Sequence, residues 1–136
     1  KVRNSDKKLW IFNSHFDHIG EIAREESAKL ILKKISELSK KDDYVILTGD
    51  FNSTDTSKTI SILAKDLNDT NFDIKNTNPV YGTYNGFKLN PSSNNRIDYI
   101  FEKNFNTLSS GHLHVKTKTG RWVSDHNPVY ANLKFK

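Results

Sequence analysis

The sequence predicts a single α/β layered unit, in which strands and helices alternate along 136 residues. Two short apolar runs, residues 9–12 and 44–47, have the length of buried strands. Between them, apolar side chains recur at helical spacing. A chain of this length can bury one core, and no apolar run approaches the ~20 residues that a membrane helix needs.

The first elements follow from these patterns in chain order. Residues 9–12 (Leu-Trp-Ile-Phe) form a continuous apolar run, as expected of a strand covered on both faces. Apolar positions spaced by three and four residues predict a helix over about residues 20–38. Residues 44–47 (Tyr-Val-Ile-Leu) predict the second strand. Asp55 is expected to cap a short helix that carries Ile60 and Leu63 on its apolar face.

The remaining strands lie after a long excursion, residues 68–95, which is rich in Asn, Asp, Thr, Ser, Gly and Pro. Loops of that length in a compact domain are often functional. Residues 97–101 predict a third strand, and residues 113–115 part of a fourth, on which His112 and His114 would alternate as structural residues. Residues 129–135 alternate between apolar and polar, which predicts a half-exposed strand at the C-terminus.

Composition limits the chemistry. The formal net charge is +5 and the chain has no cysteine, which excludes disulfides and thiolate metal ligands. A basic excess is compatible with a polyanionic partner such as nucleic acid. Several of the lysines, such as Lys33 and Lys34, fall on the predicted helix, where a solvated helix face explains them equally well.

Four short polar clusters stand where strands are predicted to begin or end: residues 13–18, 49–52, 96–99 and 124–128. Each follows, interrupts or precedes an apolar run. Together they bring two histidines, several carboxylates and an asparagine to one end of a sheet. Such groups are the raw material for metal-assisted attack on a phosphate ester.

The first two clusters suggest acid–base and water-binding groups. His15 comes directly after a strand, where an imidazole can point into a cleft and donate a hydrogen bond or move a proton near neutral pH. Asp50 and Asn52 are two residues apart and share a face of an extended chain. A carboxylate beside an amide can hold and polarise an attacking water, although an ordinary turn is an equal alternative. His18 is interpreted as structural.

The last two clusters suggest a carboxylate–histidine pair. Asp98 interrupts an apolar strand, and a buried carboxylate is costly unless it is paired. A histidine is its natural partner, and an ion pair with Arg96 is a competing explanation. Asp125 and His126 are adjacent, so they point to opposite sides of an extended chain. One fits a metal ligand and the other an acid–base group or transition-state stabiliser. Hard oxygen ligands favour Mg²⁺ or Mn²⁺.

The four clusters, in this order, resemble the C-terminal signatures of the endonuclease/exonuclease/phosphatase superfamily, which includes deoxyribonuclease I. The resemblance runs over residues 9–135. His15-Phe16-Asp17-His18 before a helix start at Ala23-Arg24, with residues 83–87 (Thr-Tyr-Asn-Gly-Phe) later, is most similar to the small bacterial metal-dependent hydrolases of this superfamily.

The resemblance implies a fold and an activity. The fold would be part of a four-layered α/β sandwich, with one mostly antiparallel or mixed sheet that has helices on one face. The activity would be divalent-metal-dependent hydrolysis of phosphate esters by in-line attack of an activated water, with Mg²⁺ or Mn²⁺, as a phosphodiesterase, phosphatase or nuclease. The alternative is a non-catalytic binding module that retains the fold.

The resemblance also implies residue roles. His15 would bind the scissile phosphate, Asp50 would orient or deprotonate the attacking water, and Asn52 would position that water. Asp98 would pair with His126, which would stabilise the transition state. The metal ligand would be Asp125. Substrate-binding residues would come from the rim of the pocket, namely Tyr84, Asn85, Phe87, Arg96 and Trp122, with Phe72 and Tyr81 in the same excursion.

One departure from the family pattern concerns the N-terminal half. There the family carries an Asn and a Glu that form the main metal site, and an acidic partner for the first histidine. None of these has a counterpart here, so residues 1–136 resemble the C-terminal portion of a longer domain. We expect the chain alone to expose an apolar sheet face and to be inactive.

Overall fold

The main sheet of the computed structural model, which describes residue 2 and residues 5–71, 82–88 and 95–136, is mixed. Its strands are β1 (Leu9–His15), β2 (Tyr44–Asp50), β3 (Asn68–Asp69) and β4 (Asp98–Lys103), in the order β1-β2-β4-β3. β1 runs parallel to β2, and β4 is antiparallel to both of its neighbours. The mixed sheet agrees with the predicted fold class.

Two helices pack on one face of this sheet. They are α1 (Glu21–Leu38) and α2 (Lys58–Leu63). Val45 and Leu47 of β2 belong to the same fully buried cluster as Phe101 of β4, and this cluster also holds the inward residues of both helices, including Ala28 and Ile35 of α1 and Ile60 and Leu63 of α2. Burying each Val, Leu, Ile or Phe side chain of this cluster contributes about 1.5–3 kcal/mol to stability. Within the described ranges, no helix is both long and apolar enough to cross a membrane.

The cap of α2 differs from the prediction. Ser57, rather than Asp55, is the N-cap residue, and its side chain accepts a hydrogen bond from the backbone N–H of Ile60 at 3.3 Å. Both residue types cap helices well, and their spacing from the apolar face does not distinguish them. The helix therefore begins two residues later than Asp55 would place it.

A second, two-stranded sheet is formed by β5 (Phe105–His112) and β6 (Val129–Phe135), which are antiparallel. β6 was predicted, but the strand predicted at residues 113–115 is wrong, because that segment follows the end of β5. His112 is the last residue of β5 and His114 lies beyond it, so the two do not alternate on a strand. Pairing with β6 makes a strand of a segment whose Asn, Ser and Gly residues are poor strand formers.

The outer face of β1 is exposed. Trp10 and Phe12 pack against the core, whereas Leu9 and Ile11 on the opposite face are exposed. The prediction that this strand is covered on both faces is therefore wrong, because in the described part of the chain the helices cover only one face. The exposed apolar pair agrees with the expectation that the chain presents an apolar sheet face.

Candidate active site

Three predicted residues form a row across one edge of the main sheet. His15 is the last residue of β1, Asp50 is the last of β2, and Asp98 is the first of β4. The strand register pairs His15 with Asp50 and Asp50 with Asp98. Since β4 runs opposite to the other two strands, its start meets their ends. His126 reaches the same edge from the segment before β6.

Asp50 lies at the centre of this row. Its Oδ2 is 3.4 Å from Nε2 of His15 and 3.8 Å from Nε2 of His126. Its Oδ1 accepts a hydrogen bond from the backbone N–H of Asn52 at 2.8 Å. One carboxylate oxygen is thus fixed by the turn that follows β2, and the other faces the two imidazoles.

The backbone around Asp50 adopts uncommon conformations. Gly49 has φ +155°, and a Cβ at this position would overlap the carbonyl oxygen of Ser14 on β1. Asn52 has φ +46°, in the left-handed region, which non-glycine residues adopt rarely. This places the Asn52 amide where Nδ2 donates to the carbonyl of Phe16 at 3.0 Å and lies 3.2 Å from Nε2 of His15. Strain of this kind concentrates at functional edges.

Asp98 and His126 form the pair that the sequence predicted. Nδ1 of His126 lies 2.8 Å from Oδ2 of Asp98. The Tyr84 ring packs on the His126 ring in a T-shaped geometry, with 5.1 Å between ring centroids. The competing explanation for Asp98, an ion pair with Arg96, is wrong, because the guanidinium of Arg96 binds Asp69 instead.

The surroundings of this pair shift both pKa values upward. Burial raises the pKa of Asp98, against the lowering effect of hydrogen bonds from Thr83 and His126. Burial alone would lower the pKa of His126, but the hydrogen bond and negative charge of Asp98, with the charges of Asp50 and Asp125, outweigh it and raise the pKa above 6.5. The imidazolium of His126 is therefore favoured at neutral pH more than that of a free histidine.

The same residues offer donor atoms for a metal ion. One ligand atom each from Asp50, Asp98 and His126 lies within 4.8 Å of the others. Carboxylates and an imidazole suit Mn²⁺ and, for the oxygens, Mg²⁺. However, Asp98 and His126 already bind each other. The described donor set therefore fits a divalent ion in part, and further ligands would be needed.

Asp125, the predicted metal ligand, is not in that group. Its carboxylate accepts a 3.4 Å hydrogen bond from the hydroxyl of Ser124. Its charge contributes to the raised pKa of His126, so it lies near the cluster. Its role as a ligand stays a prediction.

A model of the Endonuclease/Exonuclease/phosphatase family matches residues 3–126. The chain belongs to this family. The resemblance inferred from the four clusters is thereby confirmed, and the chain belongs to a family of phosphate ester hydrolases.

Solved structures of the family share the fold. A mannosyl-6-phosphatase of Bacteroides thetaiotaomicron is 33% identical, with a TM-score of 0.76 over 92% of this chain and 51% of that one. Another family protein of the same organism is 32% identical, with a TM-score of 0.75 over 93% of this chain and 49% of that one. They confirm the predicted fold class.

A curated relative is an uncharacterized protein of Acanthamoeba polyphaga mimivirus. It is 35% identical over 133 residues, which is 98% of this chain and 44% of the relative. The chain thus spans about half the length of the family proteins it matches.

The predicted rim residues of this family member lie in different surroundings. Tyr84 contacts His126, as described, and Phe87 is exposed with φ +58°. Asn85, in contrast, is 2% exposed, and its side chain is occupied by hydrogen bonds within the protein. In this conformation Asn85 cannot touch a substrate. Phe72 and Tyr81 lie outside the described residues.

Arg96 and Trp122 are also engaged within the protein. The Arg96 guanidinium binds both carboxylate oxygens of Asp69, at 2.9 and 2.6 Å, and stacks on the Tyr99 ring at 4.1 Å. This buried pair supports the start of β4 and leaves the guanidinium turned to Asp69. Trp122 donates from Nε1 to the carbonyl of Lys88 at 2.5 Å, and Lys116 covers its ring at 4.4 Å.

The cleft beside the cluster shows what the sequence reasoning missed. It has a volume of about 450 Å³ and continues along β1 and β2 from His15 and Asp50. Small polar side chains that received no role line it, namely Asn13, Ser14, Thr48 and Ser124. The sequence contained a signal for two of these residues. Asn13 stands two residues before His15, and Thr48 stands two residues before Asp50, so each shares the sheet face of that site residue.

Proposed function

We propose that the protein hydrolyses phosphate esters with a divalent metal, by in-line attack of an activated water. The observation that carries the proposal is the position of Asp50, whose free oxygen faces both His15 and His126, while His126 is held by Asp98. A base, a hydrogen-bond donor and an imidazole whose charged form is favoured thus converge on one small volume, as phosphoryl transfer requires.

Asp50 and Asn52 would act on the nucleophile. The Asp50 oxygen that faces the cleft accepts the proton of the attacking water, and its other oxygen is held by the backbone of Asn52. The Asn52 side chain, fixed by the carbonyl of Phe16, keeps the water and the phosphate oriented. A positioned base of this kind accounts for about 10²–10⁴-fold in rate.

His15 and His126 would act on the phosphate. His15 is largely exposed at the sheet edge, where its Nε2 can bind a non-bridging phosphate oxygen. His126 presents Nε2 to the same cleft, and Asp98 on Nδ1 raises the pKa of the ring and so favours its charged form. As the bond between phosphorus and the leaving oxygen breaks, the imidazolium stabilises the negative charge that develops on the phosphoryl oxygens.

A bound Mg²⁺ or Mn²⁺ would supply Lewis-acid polarisation of the phosphate and neutralise its charge. Within this chain, Asp125 is the carboxylate that would hold it, which leaves Asp50 as the base and the Asp98–His126 pair intact. Substrate oxygens and residues outside this chain would complete the ligands. In line with this, we propose that residues 1–136 are the C-terminal portion of a longer domain and that the longer protein is the enzyme.

The substrate is proposed only as a class. The mannosyl-6-phosphatase relative supports a phosphomonoester on a small polar molecule such as a sugar, and the polar lining of the cleft by Asn13 and Thr48 agrees with it. The net charge of +5 is equally compatible with a phosphodiester in a nucleic acid. Tyr84, Phe87 and Trp122 are kept as rim residues that would select between them.

The test is hydrolysis of a small panel by the full-length protein, with Mg²⁺, with Mn²⁺ and with chelator. The panel holds an aryl phosphomonoester, a hexose 6-phosphate, a bis-aryl phosphodiester, plasmid DNA and RNA. We expect chelator-sensitive turnover of at least one member, and the preferred member identifies the substrate class.

Two variants control for contaminating phosphatases. His126→Ala should lower the turnover by about 10²–10⁴-fold, whereas the exposed His18→Ala should leave it unchanged. Silence across the whole panel, by a folded protein that binds metal, would contradict the proposal and favour the non-catalytic binding module.

A further inference from the structure

Two buried side-chain amides lie just behind the site formed by His15, Asp50, Asp98 and His126. Asn85 is 2% exposed and Asn127 is 3% exposed, and Nδ2 of Asn85 donates to Oδ1 of Asn127 at 3.2 Å. Amides are costly to bury without partners. We call this pair the amide clasp.

The clasp joins two segments that are far apart in sequence. Asn127 donates from Nδ2 to the carbonyl of Gly82 at 2.9 Å and from its backbone to the carbonyl of Thr83 at 2.6 Å. Asn85 donates from Nδ2 to the carbonyl of Ser124 at 3.0 Å. Residues 82–85 are therefore fixed to residues 124–127, the segment that carries His126.

The same short segment also holds the strand of Asp98. The hydroxyl oxygen of Thr83 accepts hydrogen bonds from the backbone N–H groups of Ile97 at 2.9 Å and Asp98 at 3.0 Å. Tyr84, between the two anchored positions, packs on the ring of His126. Residues 82–85 thus contact both partners of the Asp98–His126 pair, although those partners are 28 positions apart in the chain.

We propose that Asn85 and Asn127 are positioning residues, which set the distance and ring orientation of His126 relative to Asp98 and Tyr84. Their effect on turnover rests on the proposed function, but their effect on the pair does not. Asn85 thereby moves from the substrate-binding role predicted for it to a role behind His126.

The choice of amides supports this assignment over simple packing. An apolar pair of similar volume would fill the same space without desolvating four polar groups. Amide hydrogen bonds, in contrast, are directional, so they form in only one register of residues 82–85 against residues 124–127. A displacement of about 1 Å in a catalytic group can reduce rate by about 10²-fold, so a fixed register has a functional value.

The first test observes the pair without substrate, in the full-length protein with chelator present. The Nδ1–H proton of His126 should give a downfield NMR resonance, which is assigned by its loss in His126→Gln. The contact with Tyr84 should shift the carbon-bound ring protons of His126, which is assigned with Tyr84→Leu. Asn127→Leu, which is similar in size, should move or abolish both signals.

The second test separates kcat from KM on the preferred panel substrate. Asn127→Leu should lower kcat by about 10-fold or more, with KM changed by less than about 3-fold, because Asn127 fixes the segment that orients the His126 ring and does not contact the substrate. Asn85→Leu combined with Asn127→Leu should be no worse than the more severe single variant, since the two act as one unit. Asn127→Ser, which keeps a donor and an acceptor, should recover part of the loss.

Asn68→Leu is the matched control. It removes an amide of β3 that donates to Glu102 at 3.0 Å, towards the opposite end of β4 from Asp98, and should lower stability while both His126 signals and kcat stay unchanged. The proposal is overturned if folded Asn127→Leu keeps both signals and a kcat within about 2-fold of the parent. If that variant does not fold, Asn85→Leu, which removes the other amide of the pair, decides by the same criteria. Moved signals in a protein that hydrolyses nothing would support the positioning role and reject the proposed function.

Discussion

Carboxylates at the two ends of the main sheet have opposite environments, which shift their pKa values in opposite directions. At the basal end, where β1 and β2 begin, the buried Asp43 accepts hydrogen bonds from the backbone N–H groups of Lys8 and Lys40 and from the indole of Trp10, at 2.8, 3.0 and 3.1 Å. These donors hold the pKa of Asp43 down at about 2. The charge is fully satisfied, and it ties the segment before β1 to the turn before β2.

At the opposite edge, where the same strands end and the candidate active site lies, Asp50 and Asp98 are cross-strand neighbours. Two carboxylates placed side by side repel each other and destabilise a sheet. Burial, with a contribution from the charge of Asp50, raises the pKa of Asp98. Asn52 adds strain at the same edge, because it is a non-glycine residue whose backbone lies in the left-handed region.

The difference agrees with the proposed function, in which one end serves stability and the other serves the reaction. A carboxylate that stabilises the fold is surrounded by donors, and its pKa falls. A carboxylate kept for a reaction remains beside another acid and an imidazole, and its pKa rises. The same substitution at the two ends should therefore have opposite consequences for stability and turnover.

The largest effect is expected from His126→Ala. Removing the imidazole eliminates the charge proposed to stabilise the transition state and leaves Asp98 without its partner. We expect turnover by the full-length protein to fall by about 10²–10⁴-fold, with circular dichroism and melting behaviour close to those of the parent. Activity that survives within a few-fold would contradict the role of His126.

Asp98→Asn should have the next largest effect on turnover. Asn keeps the shape but cannot favour the imidazolium, so kcat should fall by about 10²-fold. The pKa of Asp98 is raised in the folded state, so its ionised form weakens the fold as pH rises above the unfolded value of 3.8. The melting temperature at pH 7 should therefore be unchanged or higher. A clear loss of stability together with normal kcat would refute this contrast between the two ends.

The elements of the fold that follow from local pattern were predictable. β1 and β2 begin with continuous apolar runs, and α1 and β6 have apolar periodicity. The structure places all four close to the expected positions. β5 was missed, because Ser109, Ser110 and Gly111 acquire strand structure only by pairing with β6. The exposed face of β1 was missed for a related reason, since sequence alone does not show which faces a neighbouring layer covers.

The site was predictable to the extent that its residues begin or end strands. His15, Asp50 and Asp98 come together because parallel and antiparallel registers align their positions, and Asp98 was paired with a histidine from burial cost alone. Side-chain direction in loops was not predictable. Asn85 turns inward to Asn127, and Arg96 turns to Asp69, because partners far along the chain satisfy them.

Gly49→Ala should damage the edge through the backbone. Its Cβ would meet the carbonyl of Ser14 on the paired strand, which cannot move without breaking β1–β2 pairing. We expect a loss of about 1–3 kcal/mol in unfolding free energy and a weaker kcat, measured by denaturant unfolding and by turnover. Gly120→Ala is the control, because Gly120 also has a positive φ, +79°, but nothing within 4 Å of an added Cβ. Equal losses from both variants would show that the backbone conformation alone, and not the contact with Ser14, limits this position.

The smallest effect is expected from Asp43→Asn at the basal end, and it should appear in stability alone. Since the folded pKa of about 2 lies below the unfolded 3.8, Asp43 stabilises the fold above pH ~4, and this contribution is lost as pH falls towards 2. Asp43→Asn should lower the melting temperature at pH 7 and flatten its dependence on pH between about 4 and 2, with kcat unchanged. The exposed neighbour variant Asp42→Asn should keep the parent's profile. If Asp43→Asn instead reduced turnover as much as Asp98→Asn, the two ends of the sheet would not be functionally separate.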